Sequence, residues 1–339
     1  MASPPSSTRP PLIARDRLAA LLHAASTQHV CIVGDAMLDL YLRGDVDRIS
    51  PEAPVPVVRV RERRQALGGA ANVAQNVAAL GAGCDLVAVV GDDRAGETLR
   101  TMLRDGGMPD RSLVSTTRPT TTKTRVMARA QQLVRFDEED DQDLSPDDVA
   151  RVLEAIDAAL PHATALVFED YNKGVLVPAV IEGAIARASA RGLPIVVDPK
   201  FRNFFAYRGA TVFKPNRREL ESALGAAVNL EDPAALPTTF ARLGVAHLLL
   251  TLGEQGMALV DAEGAVHRVP TTAREVYDVV GAGDTVTAYL AAMLGAGASA
   301  LEAAIIANFA AGVEVGKLGA ATVSAEEVLA AYDAHHDDS

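Results

Sequence analysis

The chain has 339 residues, 49 % of them apolar and 22 % charged, with a formal net charge of −12. That length holds one large α/β domain or two small ones around a dry core. An acidic balance without a dominant basic run excludes nucleic-acid binding through phosphate contacts.

At the N-terminus, MASPPSSTRPPL lacks a basic start followed by an apolar core, so residues 1–12 read as a disordered lead-in rather than a secretory leader. Short β-branched runs near 29–33, 85–90, 164–168, 195–198, 211–214 and 246–251 alternate with helical patterns near 70–80, 94–105, 146–159, 178–191 and 217–224. Such alternation predicts a mainly parallel sheet covered on both faces. Cys31 and Cys84 sit in two of the strand-like runs and read as buried free thiols. Two regions, about 41–66 and 119–137, carry β-rich alternation without helices and predict a small β-sheet lid inserted into the main domain. An acidic linker then enters a helix at Ser145, its N-cap, and Pro146. The alanine-rich C-terminal third is broken by Glu302, Asn308 and Glu314, and no apolar stretch reaches membrane-spanning length. His335 and His336 fall in a polar tail from 335 to 339, and the histidines show no metal-ligand spacing. These features predict a soluble, cytoplasmic protein whose single domain covers 13–334.

In open α/β sheets ligands bind beyond the carboxyl ends of the strands, so the loops there carry the functional expectations. GDAMLD (34–39) ends the first strand with Asp35 and Asp39. LGGAANVAQN (67–76) opens a helix with Gly68 and Gly69 and then places Asn72 and Asn76 on one face. FEDYNKG (168–174) and VDPK (197–200) each end a strand in an acid followed by a lysine. FKPNRREL (213–220) sets Asn216 and Glu219 three apart at a helix start, and TLGEQGM (251–257) has glycines placed for a tight turn.

The stretch VYDVVGAGDTVTAYLAAMLGAG (276–297) reads as loop, helix and glycine stop, with Val286, Tyr289, Leu290, Met293 and Leu294 at helical spacing. The first amides of a helix are unsatisfied donors, and glycines let the backbone approach an anion closely. Asp284 in that place reads equally well as a helix cap when taken alone. Neither a Walker A loop nor a dinucleotide fingerprint is present. GVEVGKL (312–318) is one residue short and lacks the hydroxyl, and GDAMLD follows the first strand where glycines are needed. A nicotinamide dehydrogenase is thereby excluded.

The set of motifs resembles the PfkB, or ribokinase-like, carbohydrate kinases. DVVGAGDT and GGAANVA look like the two signatures of that family, NRRE fits its N-x-x-E motif, and the β-rich insertions fit its lid. Within the family, GDAMLDLYLRGDVDRISPEAPVPVV, DYNKG, ARAQQLVRFD and EVYDVVGAGDT resemble the heptose-7-phosphate kinases of lipopolysaccharide-core precursor synthesis, RISPEAPVPV being the most specific. That kinase is often fused to a nucleotidyltransferase, so this chain would be the stand-alone form.

The resemblance implies a three-layer ribokinase-like fold and ATP-dependent phosphorylation of the anomeric hydroxyl of D-glycero-β-D-manno-heptose 7-phosphate to the 1,7-bisphosphate. It makes Asp284 the base and the amides of Gly281, Ala282 and Gly283 the anion hole. Asn216 and Glu219 would organise Mg²⁺, through water, and the ATP phosphates; Thr251, Gly253, Gly256 and Asn308 would flank the nucleoside. Asp35, Asp39, Gly68, Gly69 and Asn72 would hold the sugar, and Lys173 a phosphate. A monovalent cation, K⁺, would sit beside Asp278. Two positions depart from the family pattern: Val280 replaces a threonine before GAGD, and Asn172 stands where a small residue is expected. Arg48, Lys123, Arg125, Arg129 and Arg135 are the lid cations available to the substrate's phosphate, and the lid's Val/Pro face implies a homodimer clasped there. The rival readings are a kinase of the same class for another sugar, sugar phosphate or nucleoside, and a non-catalytic relative that binds sugar or nucleotide.

Overall fold

The computed structural model describes residues 13–129, 131–230 and 236–337. The expected lead-in over 1–12 and the last two residues lie outside that range. The expected strands all form, and the order of the chain follows their alternation with helices. Among the described residues nine strands make one sheet in the order β13-β12-β11-β10-β9-β8-β1-β4-β5, the edge strand β5 being Leu113–Thr116. Its centre is parallel: β10 (Val212–Phe213), β9 (Ile195–Asp198), β8 (Ala165–Glu169), β1 (His29–Gly34) and β4 (Gly83–Gly91). β11 (His247–Thr251) joins β10 in parallel, and β12 (Met257–Asp261) and β13 (Val266–Val269) finish that edge antiparallel.

Each central strand is apolar on both faces, and its residues alternate between two cores. Val30 and Ile32 of β1 with Ala165 and Val167 of β8 join one core, under the helices α2 (Ala70–Ala79), α8 (Ala282–Gly295) and α9 (Ala300–Glu314). Cys31, Val33, Leu166 and Phe168 join the other, under α4 (Pro146–Ala159) and α5 (Pro178–Ala190). The period-2 side-chain alternation of a strand therefore glues three layers, α on β on α. Both cysteines are buried free thiols. No helix among the described residues is long and apolar enough to cross a membrane.

The second sheet has four strands in the order β3-β2-β6-β7. β2 (Ala36–Ile49) and β3 (Pro56–Gly69) form a long bulged hairpin, and β6 (Thr122–Ala128) and β7 (Gln131–Glu138) add to it, β2 and β6 running parallel. The lid thus begins earlier and ends later than the sequence pattern suggests. Ala36, Met37 and Leu38 are extended but buried, so they show no exposed alternation to mark them as lid. The consequence is that Asp39, Gly68 and Gly69 belong to lid strands at their root, not to loops of the main sheet. At the other end, α10 (Ala325–Asp337) carries His335 and His336 in its last turn, where the expectation placed a tail. They remain helical because they pack as rings: His335 lies edge-on to Phe309 and His336 stacks on Tyr332.

Candidate active site

β8 and β9 finish in Glu169 and Asp198, and Lys214 directly follows β10; all three are buried. The start of α8 lies over them. Gly281 is its N-cap with φ of 99°, and a Cβ there would stand 3.2 Å from both Asn72 Nδ2 and Glu314 Oε1. A left-handed residue pressed between two side chains must be glycine. From Gly283 an added Cβ would lie 3.8 Å from Asp198 Oδ2 and from Lys214 Nζ, so that glycine faces the polar cluster.

Asp284 is 6 % exposed and does not cap its own helix. Asn72 Nδ2 donates to its Oδ2 at 2.7 Å and the Tyr171 hydroxyl donates to its Oδ1 at 2.9 Å. Asn76 Nδ2 donates to the Asn72 backbone carbonyl at 3.0 Å and to the Asn72 side-chain Oδ1 at 3.4 Å, while Thr285 Oγ1 of α8 donates to Asn76 Oδ1. The i, i+4 pair on α2 therefore aims one amide at the carboxylate. Burial pushes the Asp284 pKa up to about 6, and the Asn72 hydrogen bond pulls against it; Asp198 adds repulsion, and Tyr171 and Lys214 favour the ion.

Glu169, Asp198 and Asp284 bring carboxylate oxygens within 4.8 Å of one another. Lys214 Nζ lies 2.8 Å from Asp198 Oδ2, and charge from Asp198 and Glu169 holds the buried ammonium above its ordinary pKa although burial opposes it. Among the described residues, both Glu169 oxygens are buried without a hydrogen-bond partner. Burial, then Asp198 and Asp284, raise its pKa well above the carboxylate range. A dense set of hard oxygen donors with orphaned lone pairs fits a divalent cation such as Mg²⁺. Asn216 and Glu219 stand close by on α6 (Arg217–Leu224) but are used locally: Asn216 Oδ1 accepts from the Glu219 amide at 2.9 Å and Glu219 Oε2 accepts from the Asn216 amide at 2.8 Å. This capping box leaves Glu219 Oε1 to Lys200 Nζ.

Several expected sugar residues are placed differently from their sequence reading. Asp35 accepts the backbone amides of Tyr171 and Lys173 on Oδ2 and of Val175 on Oδ1. It therefore shapes the DYNKG loop from beneath, and burial raises its pKa to about 6. Asp39 pairs with Arg125 of β6. Lys173 pairs with Glu139 at 2.7 Å. Gly68 packs against Asp39, and Gly69 is the N-cap of α2, so both hold the lid root to the Asn72 helix. Asn172 adopts φ of 54°, a region asparagine tolerates, and its Oδ1 accepts the Arg202 amide at 3.2 Å. That accounts for its place in the loop.

Asn216 and Thr251 share an open cleft of about 380 Å³ with Leu252 and Gln255. Gly253 and Gly256 make the turn between β11 and β12, with φ of 60° and 83°. A second cleft of about 390 Å³ is lined by Thr272, Phe309, Gly312 and Val313. Asn308 flanks it, its Nδ2 donating to the Pro270 carbonyl at 2.8 Å. Asp278 accepts the Val280 amide at 3.0 Å and the Gly319 amide at 3.2 Å, which fixes the loop before GAGD. Beneath that loop Glu314 is buried with both oxygens lacking a hydrogen-bond partner, and burial lifts its pKa to about 8. The Ala321 backbone amide opposes that rise, and a buried carboxylate against Gly281 fits a cation there.

Tyr171, Glu169, Asp198, Lys200, Lys214 and Glu314 were not singled out from the sequence. The first five stand in stretches that end a strand in an acid or lysine, which is the signal that could have found them.

A three-layer α/β/α fold with a smaller β-sheet, and a buried, hydrogen-bonded acid at an open-amide helix start, is the arrangement of a sugar-kinase-type phosphotransferase. The sequence profile described as pfkB family carbohydrate kinase matches residues 27–327, and the chain belongs to that family. The chain is 46 % identical over 317 residues to the "Bifunctional protein HldE" of Rhodospirillum rubrum, covering 93 % of this chain and 64 % of that protein. It is 47 % identical over 330 residues to the protein of the same name from Caulobacter sp. strain K31, covering 95 % and 66 %. It thus spans about two thirds of the length of these relatives. Among solved structures, Arabidopsis thaliana ribokinase complexed with ribose and ATP superposes with a TM-score of 0.71 at 21 % identity, covering 90 % of this chain and 98 % of that one. Escherichia coli phosphofructokinase-2 does so at 0.73 and 20 %, covering 91 % and 99 %. At that identity they establish the fold. The protein is thus a carbohydrate kinase by family.

Proposed function

We propose that the chain phosphorylates the anomeric hydroxyl of D-glycero-β-D-manno-heptose 7-phosphate, giving the 1,7-bisphosphate in the supply of lipopolysaccharide-core precursors. The observation that carries the chemistry is the hydrogen-bonded, buried Asp284 beside the bare amides that open α8. The choice of substrate is supported by the RISPEAPVPV hairpin and the DYNKG loop, and by the similarity to the HldE proteins.

In this reading the sugar lies between the lid root and α2, against Asp39, Gly68, Gly69 and Asn72, with Asp35 holding the loop that bears Tyr171. The acceptor hydroxyl meets a free lone pair of the Asp284 carboxylate, which accepts its proton as the new O–P bond forms and the bond from phosphorus to the ADP oxygen breaks. The amides of Gly281, Ala282 and Gly283 receive the charge on the transferring group, where one aimed donor is commonly worth about 3 kcal/mol. Thr251, Gly253, Gly256 and Asn308 border the nucleotide. Mg²⁺ would be held by Asn216 and Glu219 through water, with the Glu169 and Asp198 carboxylates as neighbouring oxygen donors, and would supply charge neutralisation on the phosphates. K⁺ would be held beside Asp278 and Glu314.

The lid turns apolar side chains outward: Ile49 is 61 % exposed, Val134 50 % and Phe136 48 %. A sheet face of that kind favours a homodimer clasped lid to lid. The deciding experiment for the function is a ³¹P spectrum of the product formed from heptose 7-phosphate and ATP. A second phosphorus signal coupled to the anomeric proton is expected; turnover of another sugar, with this one untouched, would reassign the substrate.

A further inference from the structure

The sequence offers five lid cations to a substrate phosphate, Arg48, Lys123, Arg125, Arg129 and Arg135, and the structure separates them. Arg48 and Arg129 are exposed. Arg125 is held by Asp39, and Arg135 by Asp137 at 3.0 Å. Lys173, across the cleft, is closed off by Glu139. Lys123 is different. It is half-buried on β6, and among the described residues it has no carboxylate within ion-pair distance. Its Nζ lies over the ring of Tyr171, 5.0 Å from the centroid. The same ring carries Lys200 at 5.4 Å, but Lys200 is already paired with Glu219.

Two physical points follow. A partly buried ammonium without a counter-ion is costly, and here burial lowers its pKa and the neighbouring Lys173 and Arg135 repel it, against attraction from Asp39 and Asp137. The two acids that flank it in register, Asp39 on β2 and Asp137 on β7, are each neutralised by an arginine. The surroundings are therefore poised for an anion. Second, Tyr171 sets a length. Its hydroxyl lies on Asp284 and its ring lies under Lys123, so base and ammonium are separated by about one tyrosine side chain. That is roughly the span from one end of a six- or seven-carbon sugar to the other.

We propose that Lys123 anchors a phosphate at the end of the sugar remote from the hydroxyl that reacts, and so selects a sugar phosphate over a free sugar. The inference rests on Asp284 being the base. It fixes the substrate class by one residue of the lid.

The test compares wild type, Lys123→Met and Lys123→Arg by ADP release with heptose 7-phosphate, fructose 6-phosphate and dephosphorylated heptose. The expected result is that Lys123→Met lowers the kcat/KM ratio of phosphorylated to free sugar at least about thirtyfold, the scale for losing one partner of a desolvated charge pair. Lys123→Arg should recover most of that ratio. The melting temperature and the KM for ATP should match wild type and so report an intact fold. A Lys123→Met enzyme whose ratio is unchanged, or that loses both sugars equally, overturns the proposal while heptose 7-phosphate turnover by wild type leaves the function standing. Wild type that ignores heptose 7-phosphate but accepts fructose 6-phosphate reassigns the substrate, and Lys123 is then judged on that sugar. Wild type that prefers free sugar over every phosphate removes the role of Lys123, with Asp284 still to be judged by its own variant.

Discussion

The hydroxyl of Tyr171 donates to Oδ1 of Asp284 at 2.9 Å, although the two residues stand 113 positions apart. Asn72 fixes the other oxygen from a third part of the chain. The carboxylate is therefore held from both sides, at the mouth of a helix, before any substrate arrives.

Asp284→Asn should keep ATP affinity and lose at least about a hundredfold in kcat, the lower end of what a positioned base contributes. The pH profile gives an independent check. The acid must be ionised to accept a proton, and its pKa is raised to about 6. kcat/KM should be flat above that value and fall tenfold per unit below it. A profile with no acid limb between pH 5 and 7, or a variant that keeps most of its turnover, would take Asp284 out of the reaction.

Tyr171→Phe removes a donor that favours the ionised carboxylate. The limb should then move upward. A hydrogen bond to a charged group contributes roughly 1.5 kcal/mol, so the movement is about one unit. Steady-state kinetics from pH 5 to 8 would measure it. If the phenol only packs, turnover drops at every pH while the limb stays in place.

The two glycines of the GAGD turn should respond differently to alanine. At Gly281 the backbone is left-handed and the new Cβ meets Asn72 and Glu314 at 3.2 Å. Gly281→Ala should cost about 1–3 kcal/mol and most of the activity. At Gly283 the nearest atoms lie 3.8 Å away, so Gly283→Ala should melt within a few degrees of wild type and lose turnover only by crowding the phosphoryl site. Thermal melts beside kcat values separate the two.

Phe136→Asp puts a charge on the exposed apolar face of the lid, where Phe136 is 48 % exposed. Light scattering should report a shift from dimer toward monomer. A wild type that is already monomeric at micromolar concentration would remove the lid interface.

Much of the site could be read along the chain because its pieces are local. Asn216 and Glu219 cap one helix three residues apart, and Gly281 and Asp284 open another. Asp35 shows the limit. An acid after a first strand reads as a hydroxyl binder, yet three amides from 171 to 175 converge on it, and no local pattern announces contacts 136 to 140 residues away. Lys173 is similar: its charge is evident in the sequence, and its closure by Glu139 is not.

The sequence by itself determined the alternation of strands and helices, the glycine turn and the family, since period-2 and period-3.6 burial and positive-φ turns are set by neighbours in the chain. The tertiary structure decided which charges are left unpaired. Ion pairing depends on side chains meeting across strands and layers, so only the folded chain could occupy Arg125, Arg135 and Lys173 and leave Lys123 over the ring of Tyr171.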